Sequence, residues 1–186
     1  MTRLFGTIIS ICLWAERLWK FMTKSRFERV ADFFNSHERL FFLLRIIYNY
    51  LPLAVMVSYP ALLVYLFVSG NKADFIKALV VPAVTFAAAT LLRAVINSQR
   101  PYEKLGIKPL IQKNTVGKSF PSRHSASVFI IAMAFLHTNV YLGAAMFAVG
   151  FLIILSRVLA GVHYEKDVLA GLCFSVLLGI FGFYII

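Results

Sequence analysis

The charged residues are spread so unevenly along this chain that the gaps between them lay out its architecture. Residues 46–69, 125–156 and 168–186 contain no Asp, Glu, Lys or Arg, and residues 78–92 form a further uncharged stretch ending at Arg93. A helix crosses the hydrocarbon core of a bilayer in about 20 apolar residues. The stretch 125–156 is too long for one crossing, and His137-Thr138-Asn139 offers a polar turn that divides it. Five spans are therefore expected, at roughly 47–69, 75–97, 122–137, 140–158 and 166–186.

The first 45 residues follow a different pattern. The apolar run Leu4 to Ala15 is interrupted by Glu16, Arg17 and Lys20, so residues 4–22 suit either a sixth crossing or an interfacial helix. From Lys24 to Arg45, charge alternates with Phe27, Val30, Phe33 and Phe34, as in an amphipathic helix lying on a membrane surface. No small-residue cleavage site follows the apolar run, so a cleaved signal peptide is not expected.

Composition agrees with the pattern. With 186 residues, 60% hydrophobic content, 15% charged residues and a mean hydropathy of +0.80, the chain is too apolar for an ordinary soluble domain and too short for two. The expected fold is all-α, a polytopic transmembrane bundle of five to six helices. It comprises a basic amphipathic region over 1–45 and a membrane domain over 46–186. Cys12 and Cys173 are lone residues in apolar segments without metal-ligand neighbours, and read as packing residues.

The net charge of +11 has two sources. Residues 1–45 carry eight basic and four acidic side chains, 8 − 4 = +4, as a flank facing anionic headgroups or the cytoplasm would. Between Arg93 and Arg123, Arg93, Arg100, Lys104, Lys108, Lys113, Lys118 and Arg123 stand against Glu103 alone. That is more charge than a surface tether needs. A chain with so little soluble surface is a poor partner for nucleic acid. A phosphorylated lipid headgroup, held by converging cations at the membrane surface, fits better.

Three patterns gather the chemistry at span ends. Arg93, six residues and Arg100-Pro101 run from one span into the loop, and Phe120-Pro121-Ser122-Arg123-His124 opens the next span. Pro121 suits a helix first turn, where spare N–H groups and the Ser122 hydroxyl make an anion cradle with His124 at its edge. Finally Ser156-Arg157, five residues, His163, three residues and Asp167 join an arginine, a histidine and a carboxylate. On a helix His163 and Asp167 share a face, so the carboxylate can hold one ring nitrogen and leave the other free to attack. Ionisable groups at the edge of a span are costly and mark a functional site by default. His37 and His137, outside these patterns, read as satisfied polar groups.

In this order the three segments resemble the signature of the type 2 phosphatidic acid phosphatase superfamily, which includes the vanadium haloperoxidases. That signature reads Lys, six residues, Arg-Pro; then Pro-Ser-Gly-His; then Ser-Arg, five residues, His, three residues, Asp. The third segment matches at every fixed position. Arg93 stands where the family usually has Lys, and Arg123 where it usually has Gly. Arg93 keeps the charge with a different geometry, and Arg123, replacing a glycine whose N–H would approach the phosphate closely, either narrows the cradle or adds a cation able to meet a second phosphate. The resemblance covers roughly residues 47–186. It implies a helical membrane bundle and a metal-independent, cofactor-free phosphatase working through a phosphohistidine. By position, His163 is the nucleophile, Asp167 its orienter and His124 the general acid. Arg93, Arg100, Ser122, Arg123 and Arg157 hold phosphate.

Phosphoryl transfer demands such a set, because charge spreads over three equatorial oxygens and catalysis is mostly positioning and electrostatic stabilisation. The expected substrate is a lipid phosphate: phosphatidic acid, phosphatidylglycerophosphate, a polyprenyl (di)phosphate or a lipid A phosphate. Two alternatives stay open, a lipid phosphotransferase with the same covalent intermediate and a catalytically silent lipid-binding or transport protein. The resemblance implies placement in the cell (inner) membrane with an extracytoplasmic site, whereas the basic segment 20–45 argues for a cytoplasmic face.

Overall fold

The uncharged stretches become helices whose ends sit at the polar residues between them. The computed structural model describes residues 23–186. Its α-helices are α1 (Lys24–Ser36), α2 (Glu38–Val68), α3 (Lys72–Ile96), the short α4 (Pro101–Leu105), α5 (Arg123–Thr138), α6 (Val140–Leu159) and α7 (Glu165–Ile180). A π-helical turn, Phe181–Ile185, closes the chain. There is no strand among the described residues. The possible crossing over residues 4–22 lies outside them.

Four helices, α2, α3, α6 and α7, provide segments long and apolar enough to cross a membrane. The fifth expected span is α5, whose 16 residues measure about 24 Å at the usual helical rise, short of the hydrocarbon thickness. It is the helix the others enclose. It packs most extensively on α6 and α7 and next on α3, and Ala126, Phe129, Ile130 and Ala132 on it are at most 1% exposed. The outward faces of α2, α3 and α6 keep large apolar side chains exposed, among them Met56, Phe67, Leu91 and Phe151, as lipid-facing helices must.

The amphipathic segment 24–45 is not one helix. It breaks at His37, whose non-helical backbone (φ −126°, ψ 78°) ends α1, and the helix that contains the first expected span, 47–69, already starts at Glu38. Capping explains the other boundaries. Asn71 Oδ1 accepts from the Asp74 N–H at 3.2 Å to start α3, and Asn139 Oδ1 accepts from Tyr141 and Leu142 to start α6 at the expected polar turn. His37 Nδ1 bonds the Phe33 carbonyl at 2.8 Å, and His137 Nε2 pairs with Asp74 Oδ1 at 3.1 Å, so both are the satisfied polar groups expected.

Two glycines decide how the catalytic ends meet. A Cβ on Gly171 of α7 would lie 2.7 Å from the Ser122 carbonyl oxygen and 2.9 Å from Ser125 Cβ, so only glycine lets the first turns of α5 and α7 touch. Gly161, at φ +72°, makes the turn after α6, and its α-carbon faces the buried Phe27 ring so closely that a Cβ would fall 2.4 Å from Cε2. Phe27 thereby seats the basic helix α1 beside the loop that carries His163.

Candidate active site

Chain direction brings the three motifs to one end of the bundle: α3 finishes there, α5 starts there, and α6 finishes where α7 starts. Arg93, in the last turn of α3, is 5% exposed, and Arg157, in the last turn of α6, is 4% exposed. Arg100 precedes α4 and is 3% exposed. Its Nε donates to the Gly117 carbonyl at 3.2 Å and its Nη1 to the Val162 carbonyl at 3.3 Å, tying the long loop to the turn beside His163. Arg157 Nη2 donates to the Tyr48 carbonyl at 3.0 Å, and its guanidinium lies 3.6 Å from the Tyr48 ring centroid, while Nε has no partner. Buried cations held by carbonyls and an aromatic face, rather than by carboxylates, keep their charge available to an anion.

His163 and Asp167 are both buried, with Nδ1 3.5 Å from Oδ2. They do not share a helical face as expected. His163 lies in the turn before α7, because Tyr164 adopts an extended backbone (φ −74°, ψ 157°) as the N-cap. Asp167 folds back to accept the Tyr164 N–H at 3.0 Å, a capping-box contact that aims the same oxygen at the imidazole. Burial drives the His163 pKa below its ordinary value, and Asp167 partly opposes this by hydrogen bond and charge. The ring is therefore neutral near pH 7, the form a nucleophile needs. Asp167 Oδ1 is buried without a partner.

Ser122 is the N-cap of α5, Arg123 its first residue, and Pro121 stands one residue outside the helix rather than in its first turn. The Ser122 hydroxyl accepts from the Ser125 N–H at 3.4 Å and its own N–H donates to the Asp167 carbonyl at 2.9 Å, which locks the second motif to the third. The hydroxyl proton remains available to an anion. Arg123 is exposed, and His124 is half-buried with Nδ1 unpartnered. Within electrostatic reach of His124 are Arg157, His163, Lys113 and Arg123; within reach of His163 are Asp167, Arg100 and Arg93. All eight residues expected at the site are thus gathered at one end. Among the described residues no group of three His, Cys, Asp or Glu side chains is arranged to hold a metal ion.

Residues 74–186, which contain all three motifs, match the PAP2 superfamily. The chain belongs to this family of membrane lipid phosphatases. It is 27% identical over 132 residues to "Undecaprenyl-diphosphatase BcrC" of Bacillus subtilis (strain 168), covering 69% of this chain and 67% of that protein. It is 29% identical over 105 residues to "Bacitracin transport permease protein BcrC" of Bacillus licheniformis, covering 54% of this chain and 52% of that one. Among solved structures, LpxE of Aquifex aeolicus aligns with TM-score 0.57 and 26% identity over 75% of this chain and 92% of its own. A PAP2 type phosphatidylglycerolphosphate phosphatase from Bacillus subtilis aligns with TM-score 0.66 and 18% identity over 98% and 94%, a likeness of fold.

The candidate site residues also touch residues that the motif reading passed over. Ser119, 0% exposed, donates its hydroxyl proton to Asp167 Oδ2 at 2.5 Å and lies 3.5 Å from His163 Nδ1. Glu103 accepts from the Arg100 N–H at 2.8 Å and from the Gly117 N–H at 2.9 Å, fastening the loop to α4. Tyr48 comes from α2, far outside the motifs. The hydroxyl two residues before Pro121 and the acid three residues after Arg100 were visible signals, whereas nothing local marked Tyr48.

Proposed function

We propose that this protein hydrolyses a phosphate ester or diphosphate of a membrane lipid through a phosphohistidine at His163. The neutral His163 ring, held by Asp167 through Nδ1, attacks phosphorus with Nε2 while Arg93, Arg100 and Arg157 take up the charge on the equatorial oxygens. The bond from phosphorus to the lipid oxygen breaks, and His124 gives that oxygen a proton. Water, deprotonated by His124, then displaces His163 and releases phosphate. The observation that carries the reading is the buried His163–Asp167 pair beneath arginines whose partners are carbonyls and an aromatic ring rather than acids. The relatives' names, an undecaprenyl-diphosphatase and a phosphatidylglycerolphosphate phosphatase, agree with this substrate class.

The test is phosphate release in detergent from phosphatidic acid, phosphatidylglycerophosphate, a polyprenyl diphosphate and lipid A, with and without a chelator. Activity persists in excess EDTA and is inhibited by vanadate, which mimics the five-coordinate transition state. Loss in EDTA restored by Mg²⁺ refutes the mechanism. A phosphorylated product that forms only with an added lipid or sugar hydroxyl identifies a phosphotransferase, and neither release nor transfer from any lipid leaves a binding or transport protein.

We also propose that the protein sits in the cell (inner) membrane with the catalytic end extracytoplasmic. The loop arginines serve phosphate and need not report sidedness, and α1, seated by Phe27 beside Gly161, suits the interface. A cysteine at Gly106, in a background lacking Cys12 and Cys173, is labelled by an impermeant thiol reagent in intact cells. Labelling only after lysis reverses the orientation.

A further inference from the structure

The loop joining α4 to α5 carries over the site a cation that belongs to none of the three motifs. Lys113 is held between fixed points on either side. Before it, the Leu110 N–H donates to the Ala160 carbonyl at 3.1 Å, and Ile111 packs on the buried cluster of Tyr48, Ala160 and Val162. After it, the Tyr102 hydroxyl donates to the Thr115 carbonyl and the Gly117 N–H is gripped by both Glu103 oxygens, at 2.9 and 3.0 Å. The backbone that carries Lys113 is thus fixed on both sides. Lys113 is half-buried, and Arg157, Arg100, Arg123 and Arg93 all act on it. No carboxylate pairs with it among the described residues. Burial first, then these arginines, lower its pKa from the ordinary lysine value.

Arg157, Lys113 and Arg123 all act on His124, the group given the leaving-side role above, and Arg123 stands directly before it as the first residue of α5. Counting Arg93, Arg100, Lys113, Arg123 and Arg157 against Glu103 and Asp167 leaves a net of 5 − 2 = +3 at the site. A phosphomonoester brings about −1.5 to −2. The excess matches the charge of one further phosphoryl group.

We infer that Lys113 and Arg123 form a second phosphate subsite on the leaving-group side, which makes a lipid diphosphate the preferred substrate. This rests on the hydrolase reading above. In the step it serves, His163 Nε2 bonds to the terminal phosphorus and the bridging P–O bond breaks. Its electron pair goes to the lipid monophosphate, whose added negative charge Lys113 and Arg123 neutralise. Water then frees His163 and gives orthophosphate.

The experiment compares kcat/KM of the full-length protein in detergent on farnesyl diphosphate and farnesyl monophosphate, for wild type, Lys113→Ala and Lys113→Arg. Inorganic pyrophosphate and orthophosphate serve as competing probes of binding. In Lys113→Ala the ratio of diphosphate to monophosphate kcat/KM falls at least tenfold, Lys113→Arg restores most of it, and the preference for pyrophosphate over orthophosphate falls by a similar factor. Losses equal on both esters, or no loss on either, overturn the subsite while leaving hydrolysis standing. If wild type cleaves neither ester yet binds pyrophosphate in a Lys113-dependent way, the hydrolytic reading falls and the subsite stands. If it also binds pyrophosphate no better than orthophosphate, both fall.

Discussion

Truncating the two site histidines separates their duties on a pair of esters. His124 Nδ1 has no hydrogen-bond partner, so His124→Ala breaks no structural hydrogen bond at that nitrogen, and its loss reports chemistry. The cations around it, Arg157, Lys113 and Arg123, remain in place and keep the electrostatic share of transition-state stabilisation. What disappears is proton transfer to the leaving oxygen, typically about 10²–10⁴-fold, or roughly 2.7–5.5 kcal/mol. That full loss falls on a lipid alkyl phosphate. On p-nitrophenyl phosphate the leaving group departs without a proton, and the phosphorylation step of His124→Ala drops by less than about tenfold, roughly 1.4 kcal/mol. His163→Ala removes the atom that bonds to phosphorus and abolishes turnover and phosphoenzyme on both esters. The assay is the first-turnover burst of nitrophenol against phosphate release from the lipid. Equal defects of His124→Ala on the two esters refute the assignment, because His124 would then hold the phosphate or serve only the hydrolysis step.

Other variants probe the supports of this chemistry. Arg93 supplies charge to the phosphate, so Arg93→Lys keeps much of the activity while Arg93→Ala loses at least about tenfold in kcat/KM, the scale of one charge-assisted hydrogen bond worth roughly 1.5–3 kcal/mol; an unaffected Arg93→Ala enzyme makes the residue a membrane anchor. His163 must be neutral to attack and its pKa is lowered by burial, so the acid limb of the burst rate lies below the ordinary histidine value of about 6.5. Asp167 raises that pKa, hence Asp167→Asn moves the limb to still lower pH and also reduces the plateau; a limb that moves to higher pH excludes the pairing. Ser119→Ala deletes a buried hydroxyl that donates to Asp167, costing about 1.5–3 kcal/mol of stability and lowering kcat more than KM; thermal denaturation in detergent and steady-state kinetics check both, and a change in KM alone would assign Ser119 to binding.

Much of this protein is legible without coordinates, for a physical reason. A bilayer requires long uncharged helices with their polar groups at the ends, so the gaps between charges give the spans, and the polar turn at His137–Asn139 divides two of them. The three motifs lie at span ends, and alternation of chain direction puts those ends on one side of the bundle. Their spacing and the family resemblance it carries therefore single out Arg93, Arg100, Ser122, Arg123, His124, Arg157, His163 and Asp167 as candidate site residues. Periodicity does not reach the contacts that hold them. The spacing of His163 and Asp167 suggests a shared helical face, yet the two meet because Tyr164 caps α7 and the carboxylate turns back on it. The seat of α1 beside the His163 loop rests on Phe27 packing against Gly161, a contact between residues 134 positions apart (161 − 27). Likewise Tyr48 meets Arg157, and Lys113 comes within electrostatic reach of His124, through helices packed at a glycine contact and a loop fastened at Leu110 and Gly117. Local sequence sets which segments cross and which residue types stand at their ends. Which side chain lies against which is decided by close packing between distant segments, and that exists only in the folded bundle.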